Sequence, residues 1–340
     1  LAIHGIAIVA LAAVPASNNV RRVVLIVIVI SSVDFVRREC SRLLFEAFTV
    51  RPFAFIVVRL IGRKGTGLES YQRAGGRSMP NTGSRPHAVI VTGGASGIGL
   101  ATTQRLLASG WRVAAFDRDQ TAIAKLRNMH GDKVRADVLD VTDEQAVEAT
   151  VKSVATAFGR LDGVVNSAGI GIDIHVLDTS VSQFRNVLDI NVTGTFIVGR
   201  AAARIMKDQG AGAIVNIASI AGLRGFKGRA AYGASKGAVA ILTQVMAVDL
   251  ARYGIRVNAV APGPIDTPLV QAMHPAAVRR AVLHHTPMRR YAAPDEVATA
   301  ILFLLDSTQS SFITGAILPV DGGFIGAGLM ELETDPPEKA

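Results

Sequence analysis

The chain has 340 residues, 49% of them hydrophobic, which is enough to bury a sizeable core and excludes a chain disordered throughout. Its net charge of +9 suggests a polyanion-binding surface, yet the first 86 residues hold 12 Lys and Arg against 4 Asp and Glu, leaving 24 against 23 afterwards. That removes the electrostatic case for nucleic-acid binding by the rest of the chain. A single cysteine, Cys40, excludes an intramolecular disulfide and a thiolate metal cluster, and it fits a reducing, cytoplasmic setting.

In chain order, residues 3–14 and 23–30 are apolar runs split by Ser17-Asn18-Asn19 and Arg21-Arg22. Each falls short of the roughly 18 to 20 residues a membrane-spanning helix needs, and no basic stretch precedes the first, as a secretory signal would require. Eleven of the 12 basic residues here are arginine, and 62–83 is rich in Gly, Ser and Arg. Residues 1–85 therefore read as a poorly ordered basic and apolar extension, dispensable for chemistry. A transit peptide would share the arginine excess, but a mis-assigned start accounts better for the opening at Leu1.

From residue 86 the pattern changes. Short Val- and Ile-rich runs at 88–92, 113–116, 134–136, 163–166, 213–217, 255–260 and 316–320 alternate with amphipathic stretches. Strands apolar on both faces, alternating with helices, predict an α/β fold: a single-domain, Rossmann-type doubly wound parallel sheet of about seven strands with helices on both faces. The domain spans 86–328, and 329–340 form a C-terminal tail.

Directly after the first of these strands stands Thr92-Gly93-Gly94-Ala95-Ser96-Gly97-Ile98-Gly99, with a helix expected from near Leu100. Its glycines allow a tight turn and let backbone amides at a helix N-terminus approach a pyrophosphate. The next strand ends at Asp117, 18 residues past Gly99, where a carboxylate can accept hydrogen bonds from ribose hydroxyls. A 2′-phosphate would meet a like charge there, so NAD is favoured over NADP, although the neighbouring Arg118 could reach a phosphate.

Tyr232 and Lys236 are spaced i, i+4, which puts both on one helix face. A phenol ionises near pH ~10, and an ammonium beside it lowers that value, so Lys236 would make Tyr232 a usable acid–base. The other tyrosines, Tyr71, Tyr253 and Tyr291, have Gly75, Val257 and Asp295 at that spacing. Ser219 follows the strand at 213–217, at the strand end where open α/β sheets bind ligands, and its hydroxyl could steady charge on a substrate oxygen; alone, it would read as a helix cap. Asn191 lies within an apolar helical run and needs hydrogen-bond partners if buried. The seven histidines contain no HxxxH or HxH pair, and the adjacent His284 and His285 read as helix surface, so no catalytic metal is expected.

Thr92 to Gly99 as TGxxxGIG, Asn166-Ser167-Ala168-Gly169, Asn191, Ser219, the YxxxK of Tyr232 to Lys236 and Pro262-Gly263 together resemble the short-chain dehydrogenase/reductase family, in its order and over nearly all of 87–328. Ser167 departs from it, since the family more often has asparagine there. The resemblance implies an NAD(P)-dependent oxidoreductase moving a hydride between nicotinamide and a secondary alcohol or ketone carbon, with Asn191, Ser219, Tyr232 and Lys236 catalytic. It gives Asn191 a water that relays protons from Lys236. It assigns the cofactor to Gly93, Ser96, Gly97, Ile98, Gly99, Asp117, Asp140, Val141, Asn166, Gly169, Tyr232, Lys236, Pro262, Gly263, Ile265 and Thr267. Asp140-Val141 would contact the adenine, though Asp137-Val138 repeats the dipeptide and Asp140 could be a helix cap. It also implies a homotetramer or homodimer, with the helix at 232–253 at an interface.

Residues 266–291, punctuated by Pro268, Pro275 and Pro287, would form a flap over a partly apolar pocket containing Leu269, Val270, Met273 and Val278. Arg279, Arg280, Arg289 and Arg290 could meet an anionic substrate but read as surface. A secondary-alcohol or polyol dehydrogenase is slightly favoured over an NADPH-dependent 3-oxoacyl reductase. A silent nicotinamide sensor and an enzyme anchored to a membrane through residues 1–33 are the readings from other classes.

Overall fold

The computed structural model describes residues 86–328 throughout. Of the first 85 residues it describes only the strands Ile6–Ala13 (β1), Val24–Ile30 (β2) and Val57–Val58 (β3). β1 pairs antiparallel with β2, and β3 runs parallel to it. The chain divides into two units, residues 1–83 and 84–340. The expectations for Cys40, for the remainder of the extension and for the 329–340 tail lie outside the described residues.

In the second unit, seven strands form one sheet: Ala88–Thr92 (β4), Arg112–Asp117 (β5), Val134–Val138 (β6), Gly163–Asn166 (β7), Gly212–Ile217 (β8), Ile255–Pro262 (β9) and Ile317–Val320 (β10). Their order is β10-β9-β8-β7-β4-β5-β6, and every pairing is parallel. Within this unit the chain begins at β4, winds outward through β5 and β6, and returns to β7 on the other side of β4. The carboxyl ends of β4 and β7 thus flank the switch point where ligands bind in this architecture.

The helices between the strands are Gly97–Ala108 (α1), Gln120–His130 (α2), Glu144–Phe158 (α3), Val181–Leu188 (α4), Gly194–Gln209 (α5), Ala230–Leu250 (α6), Pro268–Met273 (α7), Ala276–His285 (α8), Pro294–Leu305 (α9) and Ser307–Ser310 (α10). Alternation along the strands makes two cores. On one face Ile90, Ala114, Phe116, Val164 and Ile214 pack with Val147, Val151 and Val154 of α3 and Ala202 and Met206 of α5. On the other, Val89, Val91, Val113, Ala115, Val165 and Val215 pack with Leu106 of α1, Ile123 and Leu126 of α2, and Val297, Ile301 and Leu304 of α9.

Local signals agree with these ends. Asp119 and Asp143 cap α2 and α3 with their carboxylates, and Ser180 and Gln183 make a capping box on α4. Helix α1 starts at Gly97, three residues before the expected Leu100, because the glycine-rich loop itself supplies the first turn. One described helical stretch, Ala230–Tyr253, is long and apolar enough to cross a membrane by length and composition. It is apolar because Val239, Ala240, Met246 and Ala247 face the core while Ile241, Val245 and Val248 are exposed.

Candidate active site

A cleft of about 420 Å³ runs across the carboxyl ends of the strands, within the range of about 300–1,000 Å³ usual for ligand pockets. One end is lined by Asp117, Arg118 and Asp140, the middle by Gly93, Ser96, Gly97 and Ile98, and the other end by Tyr232, Lys236, Thr267 and Leu269.

The glycines of the loop are needed for three different reasons. Gly93 and Gly97 have φ of +62° and +49°, in the left-handed region, and a Cβ on Gly93 would come within 2.8 Å of the Ala168 amide nitrogen. A Cβ on Gly99 would collide with the Gly93 carbonyl, so loop and helix close only around a glycine there. Ser96, at the N-cap of α1, makes no side-chain cap bond, and the first turn carries no acid. Uncapped helix amides beside a cradle without side chains fit a pyrophosphate, and Asp117 and Asp140 at the far end fit the polar edge of a nucleoside.

Asp117 ends β5, and its carboxylate accepts from the amides of Ala95 (3.4 Å) and Asp119 (3.1 Å). Asp140 accepts from the backbone N–H of Thr142 at 2.9 Å and from its hydroxyl at 2.7 Å, and these bonds hold its carboxyl below the usual value. It is not the cap of α3, a role that belongs to Asp143. Asp140 and Val141 line the cleft, whereas Asp137 is engaged with Arg127 and Arg135 at 2.8 and 3.1 Å. The ambiguity between the two Asp-Val pairs is thereby resolved in favour of the second as the cleft-lining one.

Asn166, 3% exposed at the end of β7, donates to Asn216 Oδ1 at 2.9 Å, and Asn216 donates on to Thr243 at 2.9 Å. Gly169 and Ser167 line the cleft. Pro262 ends β9, and the N–H of Gly263 donates to Val320 at 3.0 Å, with Asp321 so close that a Cβ on residue 263 would lie 2.6 Å from its Cα. Ile265 is 2% exposed and bridges to Ala292, while Thr267 caps α7 and accepts from Val270 N–H at 3.3 Å.

Asn191 is fully buried in a π-helical turn, Asp189–Thr193, between α4 and α5. π-turns inside helices recur at functional sites. Its Oδ1 accepts from Ile170 N–H at 2.8 Å, and its Nδ2 donates to Ile170 O and Ser235 Oγ, both at 2.9 Å. The side chain thus pins the segment after β7 to α6.

Ser219 follows β8 and caps a single 3₁₀ turn, its Oγ accepting from Ala221 N–H at 3.1 Å. Lys236 shares the face of α6 with Tyr232, its ammonium 5.8 Å from the ring centroid, and it donates to Ile217 O at 2.7 Å. The electrostatics differ from the expectation that Lys236 by itself lowers the phenol. Burial raises Tyr232 above its ordinary value, and Ser219 and then Arg229 oppose that rise. Lys236 is a weakened cation because burial brings it down to about 8.

Arg229 was not marked by its residue type. The sequence clue was its place three residues before Tyr232, and the structure puts its guanidinium 5.9 Å from the tyrosine ring centroid. Of the residues expected to form a flap, Leu269 lines the cleft, and Met273 would be 3.4 Å from a Cβ on Gly171 beside Tyr232, whereas Val278 is 37% exposed. Arg279 engages Asp266 at 3.4 Å, and Arg290 makes a two-point pair with Glu296 at 2.8 and 2.7 Å, so these two are matched by carboxylates. Among the described residues no group of three or more His, Cys, Asp or Glu is placed to hold a metal.

A doubly wound parallel sheet with a glycine cradle at its switch point and a Ser-Tyr-Lys group beside it defines a dinucleotide-dependent oxidoreductase. The family model described as enoyl-(acyl carrier protein) reductase matches residues 93–325. Levodione reductase of Leifsonia aquatica is 37% identical over 259 residues, 72% of this chain and 97% of that protein. Cis-4-hydroxycyclohexanecarboxylate dehydrogenase of Sinomonas cyclohexanicum is 45% identical over 240 residues, 69% of this chain and 95% of that one. The structure of an NAD+-bound xylitol dehydrogenase superimposes with a TM-score of 0.66 at 41% identity, covering 70% of this chain and 98% of that one. The chain belongs to the short-chain dehydrogenase/reductase family. It is an NAD(P)-dependent oxidoreductase acting on CH–OH carbons.

Proposed function

We propose that the enzyme interconverts a secondary alcohol on an alicyclic or similarly compact frame with its ketone, using NAD. The observation that carries the reading is Tyr232 and Lys236 lining the same cleft as the Asp117 carboxylate, with Ser219 next to the phenol. Relatives named for cyclic alcohols support the frame: cyclopentanol dehydrogenase of Comamonas testosteroni is 42% identical over 241 residues. Support for NAD comes from Asp117, whose charge would repel a ribose 2′-phosphate.

When bound, the nicotinamide supplies the hydride acceptor and the redox chemistry. Gly93, Ser96, Gly97, Ile98 and Gly99 would hold its pyrophosphate, Asp117, Asp140, Val141, Asn166 and Gly169 its adenosine half, and Pro262, Gly263, Ile265 and Thr267 its carboxamide end. In the oxidative direction Tyr232, as phenolate, takes the hydroxyl proton of the substrate. Ser219 holds the same substrate oxygen and steadies its charge. Lys236 stands beside the phenol on the same face of α6, and Asn191 fixes α6 and the segment at residue 170 around it, with the water relay beside Lys236 as its further role. Reduction reverses each transfer.

The exposed stripe of Ile241, Val245 and Val248 on α6, at 61%, 51% and 79%, recurs at helical spacing and supports a homo-oligomer through that helix. The test of function is reduced-nicotinamide absorbance across cyclic secondary alcohols, polyols and β-ketoacyl esters with each cofactor, run beside Tyr232→Phe. Turnover of cyclic alcohols with NAD, lost in the variant while cofactor binding persists, is the expected result. Preferential NADPH-dependent reduction of β-ketoacyl esters would instead establish the 3-oxoacyl reductase.

A further inference from the structure

We infer that Arg229 is a positioning residue that couples the flap over the cleft to the acid–base tyrosine, an inference that rests on the role proposed for Tyr232. Its side chain is 11% exposed. The guanidinium lies 5.9 Å from the Tyr232 ring centroid, 3.4 Å from the Asp173 carboxylate, and within 3.2 Å of Met273 Sδ and 3.3 Å of His274 Nε2. A thioether is a weak acceptor, and Asp173 is 42% exposed and meets the guanidinium at a loose distance. A buried cation so thinly paired is costly to hold. What it faces that a surface arginine would not is the phenol.

The surroundings are built to keep it there. Gly228 has φ of +75°, a backbone conformation that favours glycine, and a Cβ on it would press on Asp173 Oδ1. Ile174 N–H donates to Gly228 O at 3.0 Å, and residues 174 and 229 form a parallel bridge. On the flap side, His274 Nδ1 meets the Tyr291 hydroxyl at 3.0 Å, and Arg279 lies 4.3 Å from the Tyr291 ring centroid and reaches Asp266. Burial first, and then Arg229, hold His274 below its ordinary value, so it stays uncharged at neutral pH and does not repel the guanidinium. One cation therefore joins the loop after β7, the turn between α7 and α8, and the start of α6. The charged and titratable groups facing Tyr232 and Arg229 are Lys236 on α6, Asp173 on the loop, and His274 on the flap with Tyr291, Arg279 and Asp266 behind it.

The coupling makes flap position and phenolate formation depend on the same side chain, since opening at Met273 and His274 moves the charge that favours ionisation. The full-length chain, with Arg229→Met and Arg229→Lys, is titrated by phenolate difference absorbance against Tyr232→Phe, and the pH profile of kcat/KM for alcohol oxidation is recorded in parallel. Arg229→Met is expected to move the phenol titration and the acid limb of the profile up by about one pH unit, the order a nearby opposite charge supplies. Arg229→Lys should leave both in place while raising KM, because an ammonium cannot span Asp173, Met273 and His274 together. Arg229→Gln, which keeps a polar donor, replaces the methionine variant if that one does not fold. A titration unchanged on removing the charge overturns the inference. If Tyr232→Phe retains turnover the acid–base reading itself fails, and the absorbance titration still decides whether Arg229 and the phenol are coupled.

Discussion

Replacing Lys236 by methionine separates the cost of burying its ammonium from every other ionisation in the protein. Burial lowers Lys236 from 10.5 to about 8, so between those values the unfolded chain holds a proton that the folded chain has lost. Stability therefore rises with pH across this window: the contribution is fully present above the unfolded value and is lost as pH falls through about 8. At about 1.4 kcal/mol for each pH unit between the two values the whole effect is about 3 kcal/mol, of which about 2 kcal/mol accrues between pH 7 and about 9.5. The assay is urea unfolding of wild type and Lys236→Met, without cofactor, at several pH values in that interval. Subtracting the variant cancels the titrations the two proteins share. Wild type should gain on the variant by about 2 kcal/mol by the upper pH. A difference that stays flat would mean that Lys236 keeps its ordinary value in the folded chain, and the account of it as a weakened cation would be wrong.

Ser219→Ala removes the hydroxyl that opposes the rise of the Tyr232 phenol, so the acid limb of alcohol oxidation should move to higher pH and kcat fall by about 10²- to 10³-fold, read from initial rates across pH. Gly99→Ala places a methyl against the Gly93 carbonyl; it should cost about 1–3 kcal/mol in chemical unfolding and abolish cofactor binding, measured by fluorescence titration. Val248→Lys puts a charge in the exposed α6 stripe, and light scattering should report a smaller particle with an unchanged far-ultraviolet spectrum. A particle of unchanged mass would place the interface elsewhere.

The seven strands were legible because each is a short Val- and Ile-rich run flanked by turn residues, and pairing on both sides demands that composition. Their ends were less legible: β9 extends to Pro262, two residues past the apolar run, since a strand end tolerates proline where no further ladder bond is required. The glycine loop could be read as a cradle, but which glycine serves φ and which serves close approach depends on Ala168 and Gly93, contacts that sequence spacing does not contain. The i, i+4 spacing put Tyr232 and Lys236 on one face correctly. It could not show that burial weakens the lysine, or that Ile217 O accepts a hydrogen bond from it.

Helix α6 shows why the remaining information lies in packing. Its residues are apolar nearly all round, a pattern shared by a helix buried in a core, one crossing a bilayer and one shared between two copies of a chain. Buried Val239, Thr243 and Met246 on one side and exposed Ile241, Val245 and Val248 on the other divide that pattern into two surfaces. The inner surface carries Ser235 and Lys236 and is tied to Asn191 and Ile217, so the position of the chemistry depends on how firmly the helix is held from its outer side. A second copy covering the outer stripe would stiffen the element that carries Tyr232. Loss of assembly in Val248→Lys should then lower kcat even though that residue lies far along the helix from the cleft.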